Sequence, residues 1–217
     1  MSAPFTIYFG GELFSLKHLV GNALLADAIE RLSSNVYKCI LPQDLEQRET
    51  TAISIRNQDL KYCMSCDLGI FHFDGPELDS GTAAEFLFAK MVDIPAVILR
   101  SDFRQGGDAK SAPWNLMLSG YPRTELVLLD SVQLYKQGTE RQQLPAAQAA
   151  HAATEELARL TITALDTVRK LPPILSPEQR ENVYSWARTF PGSSFDQRVT
   201  AHELEQILTS KVEKGLL

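Results

Sequence analysis

The stretch LGIFHF at residues 68–73 is a short apolar run with no polar alternation. Such a run suits a strand buried on both faces, and strands buried on both faces belong to parallel sheets with helices above and below. The neighbouring segments fit that arrangement. FTIYF (5–9) reads as a strand ended by Gly10-Gly11, VYKCIL (36–41) as a strand stopped by Pro42, PAVILR (95–100) as a fourth and ELVLL (125–129) as a fifth. Helical patterns fall between them. Leu25, Ala28, Ile29 and Leu32 recur at helical spacing, residues 47–64 read as helix, and Ala84, Leu87, Phe88 and Met91 are expected to share one apolar stripe. Strand–helix alternation of this kind predicts a doubly wound α/β fold, flavodoxin- or Rossmann-like, with a five-stranded parallel sheet over residues 1–140.

Past about residue 140 the pattern becomes wholly helical. LPAAQAAHAATEELARLTITALDTVRKL reads as one long amphipathic helix. Ser176-Pro177-Glu178-Gln179 is a capping box opening a second, and Thr200-Ala201-His202-Glu203 opens a third that Gly215 closes. Residues 141–217 are expected to be a packing or oligomerisation extension, too short and too helical for a second catalytic domain.

Composition narrows the function classes. The 217 residues are 44% apolar and 22% charged, as in ordinary globular domains. A net charge of −6 argues against nucleic acid or an anionic membrane as partner. No apolar run is long enough to span a bilayer, and MSAPFTIYFGG lacks the features of a secretory signal. Three cysteines, an odd and low count, suit a reducing compartment, and a cytoplasmic protein is expected. Cys63 and Cys66 form one CxxC with no second ligand pair, so no metal or cofactor is expected and inert thiols are.

The chemistry concentrates in FDGPELDSGTAAEFLFA (73–89), where Asp74, Glu77, Asp79 and Glu85 surround a Gly-Thr-Ala-Ala turn. In parallel sheets ligands bind beyond the carboxyl ends of strands. That places Tyr8 to Gly11, Asp74 to Gly81 and the segment around Trp114-Asn115-Leu116-Met117 at one crevice. Asp79 or Ser80 could simply cap a helix, and Gly81 could admit a ligand to the backbone. Glu85, near a helix start, is expected to be ionised. Asp59 shares an apolar stripe with Ala52, Ile55, Tyr62 and Cys63, so it either has a buried partner or faces a site with a raised pKa. Trp114 could stack on a ligand or pack. His72 reads as a core or edge histidine, and His18, His151 and His202 as surface. SDFRQGGDAKSA (101–112) reads as a loop beside the site, a candidate lid.

Four segments in order, IYFGGELF (7–14), NQDLKYCMSCDLGI (57–70), DGPELDSGTAAE (74–85) and PWNLMLSG (113–120), resemble the nucleoside 2-deoxyribosyltransferase family. The resemblance implies that Glu85 is a nucleophile, that Asp79 binds sugar hydroxyls and steers it, and that Asp59 contacts the nucleobase and protonates it. It places Tyr8 near the nucleophile, and Gly10, Phe14 and Gly81 against the substrate. It has Asn115 and Met117 reach a neighbouring subunit's site, which implies a homo-oligomer between dimer and hexamer. Substrates would be a 2′-deoxyribonucleoside and a free purine or pyrimidine base, with no cofactor and no metal. Short family members end in a tyrosine near the nucleophile, whereas this chain runs on as helices. Two rivals stand beside this reading. One is an N-glycosidase in which water resolves the same intermediate; Asp79, where a nucleotide-cleaving branch carries serine, favours a nucleoside over a 5′-monophosphate. The other is a non-enzymatic nucleoside- or nucleotide-sensing module, since fold does not fix function.

Overall fold

A computed structural model describes residues 3–45, 51–75, 77–103 and 114–217. Five strands form one parallel sheet: β1 (Phe5–Gly11), β2 (Tyr37–Ile40), β3 (Leu68–His72), β4 (Ala96–Arg100) and β5 (Thr124–Leu128). Their order is β2-β1-β3-β4-β5, the flavodoxin-like winding, in which the chain reverses direction across the sheet between β1 and β3. β1 does not stop before its glycines. Gly10 and Gly11 pair in register with Phe71 and His72, so the strand carries its backbone to the rim of the sheet.

Strand alternation builds two cores. Ile7, Phe9, Leu68, Ile70, Val97 and Leu99 point to one face, where α1 (Leu16–Leu32) and α5 (Ala146–Val168) cover them with Leu25, Ile29, Leu165 and Val168. Tyr8, Phe71, Phe73, Ala96 and Ile98 point to the other, beneath α2 (Ala52–Ser65) and α3 (Ser80–Met91). Sequence character changes near residue 140, but packing runs across that point.

The second face is completed from the C-terminal region. α4 (Ser131–Lys136) precedes a π-helical turn over 137–141, which the sequence pattern did not reveal. α6 (Pro177–Thr189) and α8 (Ala201–Glu213) both open on capping boxes, as their sequences predict, with the short α7 (Phe195–Arg198) between them. Gly215 then leaves the helix with φ 71°. The buried Lys211 donates to the carbonyl of Cys66, and Lys214 lies 2.6 Å from Asp67, so α8 is tied to the start of β3. Asp93 and Arg123 form a buried pair at 3.0 Å, and Asp93 Oδ2 also accepts from Ile174 N and Leu175 N.

Two helix faces differ from the pattern-based expectation. In α3 the buried face is Thr82, Phe86, Phe88 and Ala89, while Ala84 is exposed and Leu87 is 41% exposed. Phe86 wins the core position because its ring meets Phe71 and Phe73 edge-on. α2 begins at Ala52 behind the Thr51 cap, and residues 46–50 lie outside the described set. Its Ala52 and Ile55 are exposed, so Asp59 does not sit on a fully buried stripe. Trp114 packs against Phe73 in the core, its indole buried.

Candidate active site

The reversal between β1 and β3 opens a cleft at the carboxyl ends of the strands. A cavity of about 500 Å³ lies there. Gly11 at the end of β1 with Leu13 and Phe14 beyond it form one wall, Pro42 and Gln43 after β2 another, and Ile55 and Asp59 of α2 a third. Asp79, Gly81, Thr82 and Glu85, at the start of α3, form the floor. Three carboxyl groups thus meet in one pocket of mixed polar and apolar lining, the size range of small-molecule sites.

Each acid is set differently. Asp79 caps α3: its Oδ2 accepts from Thr82 N and from Thr82 Oγ1, both at 2.7 Å. The capping reading is therefore correct, and it coexists with a place in the pocket. Gly81 lies close beside it: a Cβ there would stand 3.2 Å from Asp79 Oδ2. Asp59 has a buried Oδ1 with no hydrogen-bond partner, and burial raises its pKa to about 6. Asp59 thus lines the cavity with no hydrogen-bond partner for that oxygen among the described residues.

Glu85 is not ionised by its helix. Burial pushes its pKa up to about 8, the Tyr8 hydroxyl pulls it down, and the charges of Asp59 and Asp79 push it up again. The helix N-terminus is outweighed because three acids crowd one partly buried space. Tyr8 lies on the same face of β1 as Gly10. Its hydroxyl is buried and makes no geometrically formed hydrogen bond, yet it is near enough to influence Glu85. Its own pKa is raised well above normal by burial and then by Glu85. Gly10 makes the approach possible: a Cβ there would meet Glu85 Oε2 and Phe71 Cδ1, each at 3.0 Å. From below, Cys63 Sγ donates to the Glu85 carbonyl at 3.5 Å.

The other candidate residues separate cleanly. Phe14 lines the pocket yet is 76% exposed. Asn115 and Met117 do not line it. The Asn115 side chain caps a short 3₁₀ turn, accepting from Met117 N and Leu118 N, and Met117 is 76% exposed. Asp74 is a structural tie: burial raises its pKa, but hydrogen bonds from His72 and Ser101 prevail and hold it at about 2. Glu77 is exposed. The candidate lid from residue 104 onward, and Pro113, lie outside the described residues. The sequence reading missed Thr82, Gln43 and Ile55; only Thr82 carried a signal, three residues after an N-capping Asp. Among the described residues no cluster of metal-ligating side chains occurs, and no helix is long and apolar enough to cross a membrane.

Fold and site together define a doubly wound α/β protein with three carboxyl groups gathered at the switch point of its sheet. The model of the nucleoside 2-deoxyribosyltransferase family matches residues 7–117, and the chain belongs to that family of enzymes acting on nucleosides and bases. Among solved structures, a conserved protein from Enterococcus faecalis V583 is 27% identical, with a TM-score of 0.50 over 65% of this chain and 100% of its own. A 2-desoxiribosyltransferase from Leishmania mexicana is 23% identical, with a TM-score of 0.45 over 60% of this chain and 93% of its own. A 2-deoxyribosyltransferase from the psychrotolerant Bacillus psychrosaccharolyticus is 17% identical, with a TM-score of 0.40 over 54% and 81%. No curated protein matches the chain.

Proposed function

We propose that the protein exchanges the nucleobase of a 2′-deoxyribonucleoside through a covalent deoxyribosyl ester on Glu85. The observation that carries this reading is the convergence of Glu85, Asp59 and Asp79 on one cavity, with Glu85 seated against Gly10. The Glu85 carboxylate attacks C1′ as the C1′–N bond breaks, and the bonding electrons leave with the base. Asp59 gives its proton to the departing base, which its unpartnered Oδ1 is free to address. Asp79 receives sugar hydroxyls. A second base then attacks C1′, returns a proton to Asp59 and frees Glu85. Two inversions give retention, as in retaining glycosidases. Leu13, Phe14 and Ile55 offer apolar contact for a flat base. The reaction uses no cofactor.

The proton distribution has a consequence. The step needs Glu85 ionised and Asp59 protonated, while their pKa values of about 8 and about 6 favour the opposite arrangement. The two titrate as a pair, and the ratio of the two arrangements lies against the reactive one. Substrate binding, by excluding water and contacting Asp79, is where that ratio shifts.

A homo-oligomer is part of the proposal. Phe14, Leu116 and Met117 are large apolar side chains exposed at 76%, 59% and 76%, and a second copy covers them while receiving Asn115 and Met117 at its own site. The decisive test is incubation of 2′-deoxyinosine with adenine, followed by chromatography, beside Glu85→Ala. Deoxyadenosine formed only by the intact protein supports the reading. Free hypoxanthine without exchange would make it a hydrolase, and no turnover with retained nucleoside binding would make it a sensing module.

A further inference from the structure

We infer that Gly69 and Phe71 of β3, neither of which lines the cavity itself, are positioning residues for Glu85: the glycine lets an aromatic ring lie low on the sheet, and the ring forms an apolar seat for the carboxylate. The inference rests on Glu85 as the nucleophile of the proposed exchange. The geometry beneath it stands independently of that role.

Strand side chains ordinarily stand up from a sheet. The Phe71 ring instead lies with opposite edges over two glycines of the same face. A Cβ at Gly69, two residues back on β3, would stand 2.5 Å from Phe71 Cε2 and 3.1 Å from Cζ. A Cβ at Gly10, the residue paired with Phe71 in β1, would stand 3.0 Å from Cδ1 and 3.3 Å from Cε1. The φ of Gly69 is not positive, so the ring and not the backbone requires glycine there. Gly69 sits in the central strand of the five. Glycine weakens a strand interior and often marks a close approach.

The lowered ring matters for the acid. The point beside Gly10 that lies 3.0 Å from Phe71 Cδ1 also lies 3.0 Å from Glu85 Oε2, so ring and carboxylate share the space a β1 side chain would fill. The ring packs edge-on against Phe86, the residue after Glu85, with centroids 5.3 Å apart, and tilted against Tyr8 at 6.2 Å. All three rings are wholly buried. Phe71 therefore borders the residue after Glu85, the tyrosine beside it and the glycine it approaches. An upright ring would rise into the volume facing α3 that Glu85 and Phe86 occupy. Phe71 offers no hydrogen-bonding group, so it keeps that side of the carboxylate dry and adds to the burial that holds the Glu85 proton.

A double-mutant cycle with two readouts tests the seat. Gly69→Ala forces the ring aside and should lower kcat for exchange between 2′-deoxyinosine and adenine about tenfold to a hundredfold. On the Phe71→Leu background, where no ring overlaps the new methyl, the same substitution should cost no more than about twofold. The second readout is the Glu85 carboxyl carbon, followed by carbon-13 NMR of protein labelled at glutamate and identified by its loss in Glu85→Gln. Its midpoint in the intact chain should lie near 8. Phe71→Leu admits water beside the carboxylate and should lower that midpoint by about one unit. Tyr8, Asp59, Cys63 and Asp79, the titratable groups around Glu85, are unchanged in all these variants. A packing role alone would lower the melting temperature of Gly69→Ala and leave kcat and the Glu85 midpoint unmoved, which would overturn the inference. An equal loss of kcat on both backgrounds would overturn it too. An intact protein that exchanges no base would sink the exchange reading instead, and the midpoint in Phe71→Leu would then decide the seat by itself, supporting it if lowered and overturning it if unmoved.

Discussion

At the scale of single residues the site is a problem in crowded acids. Glu85 is expected to be indispensable, with Glu85→Ala lowering exchange by about 10³-fold or more while the protein stays folded. Its raised pKa also has a stability signature. The folded chain holds the Glu85 proton more tightly than the unfolded chain, so that contribution is present at low pH and is lost as pH rises through about 8. Glu85→Gln should therefore raise the melting temperature at pH 8 to 9, by a few degrees, and bring no such gain near pH 4, as calorimetric scans across pH will show. The pH profile of kcat/KM should be bell-shaped with limbs near 6 and 8. Asp59→Asn should remove one limb and cost about 10²–10⁴-fold in rate; an unchanged profile would deny Asp59 a protonic role. Gly10→Ala tests the close approach itself. The added methyl presses on Glu85 Oε2 and Phe71, which must give by a few tenths of an ångström, so exchange should fall, by about tenfold or less, with the protein still folded.

At the scale of elements, the cap of α3 and the anchors of the C-terminal helices matter most. Asp79 both caps α3 and lines the pocket, so Asp79→Asn, which keeps an acceptor for Thr82, should impair turnover more than stability. Asp93 joins the end of α3 to Arg123 and to the backbone that leads into α6. Asp93→Ala leaves Arg123 buried and unpaired and should cost about 3–5 kcal/mol, measurable by urea unfolding. The two capping boxes, the long α5 and the strand runs were legible in the sequence because their signals are local: a side chain, its own backbone and a repeat distance. The buried stripe of α3 was not. Ala84 and Leu87 fit the helical spacing as well as Phe86 and Ala89 do, and only the aromatic neighbours Phe71 and Phe73 select between them.

At the scale of the whole molecule, the helices beyond residue 140 complete the sandwich. Ala158, Leu165 and Val168 of α5 are buried against the same face as Ile7 and Phe9. A fragment of residues 1–140 is expected to expose that face and to fail to give a cooperative unfolding transition. Oligomer formation makes a sharper prediction. Mixed subunits of Glu85→Ala and Asn115→Ala should recover part of the exchange activity that neither homo-oligomer shows, because one pairing restores an intact composite site. No recovery, or a monomer by light scattering, would confine the site to one chain.

The sequence by itself determined the layers, the order of strands and helices along the chain, the place of Asp59 inside a helix and that of Asp79 and Glu85 in the segment after β3, because strand burial, helix period and capping are properties of neighbouring residues. Only the tertiary structure decided what those acids are. Burial raises Asp59, and burial reinforced by the charges of Asp59 and Asp79 pushes Glu85 up despite its place near a helix start. It also decided that Asp74 is a tie to His72 and Ser101, and that Gly10 is spaced for a carboxylate from α3. Charges and close contacts of this kind join residues far apart in the chain, and they exist only once the sheet has brought β1, α2 and α3 to one rim.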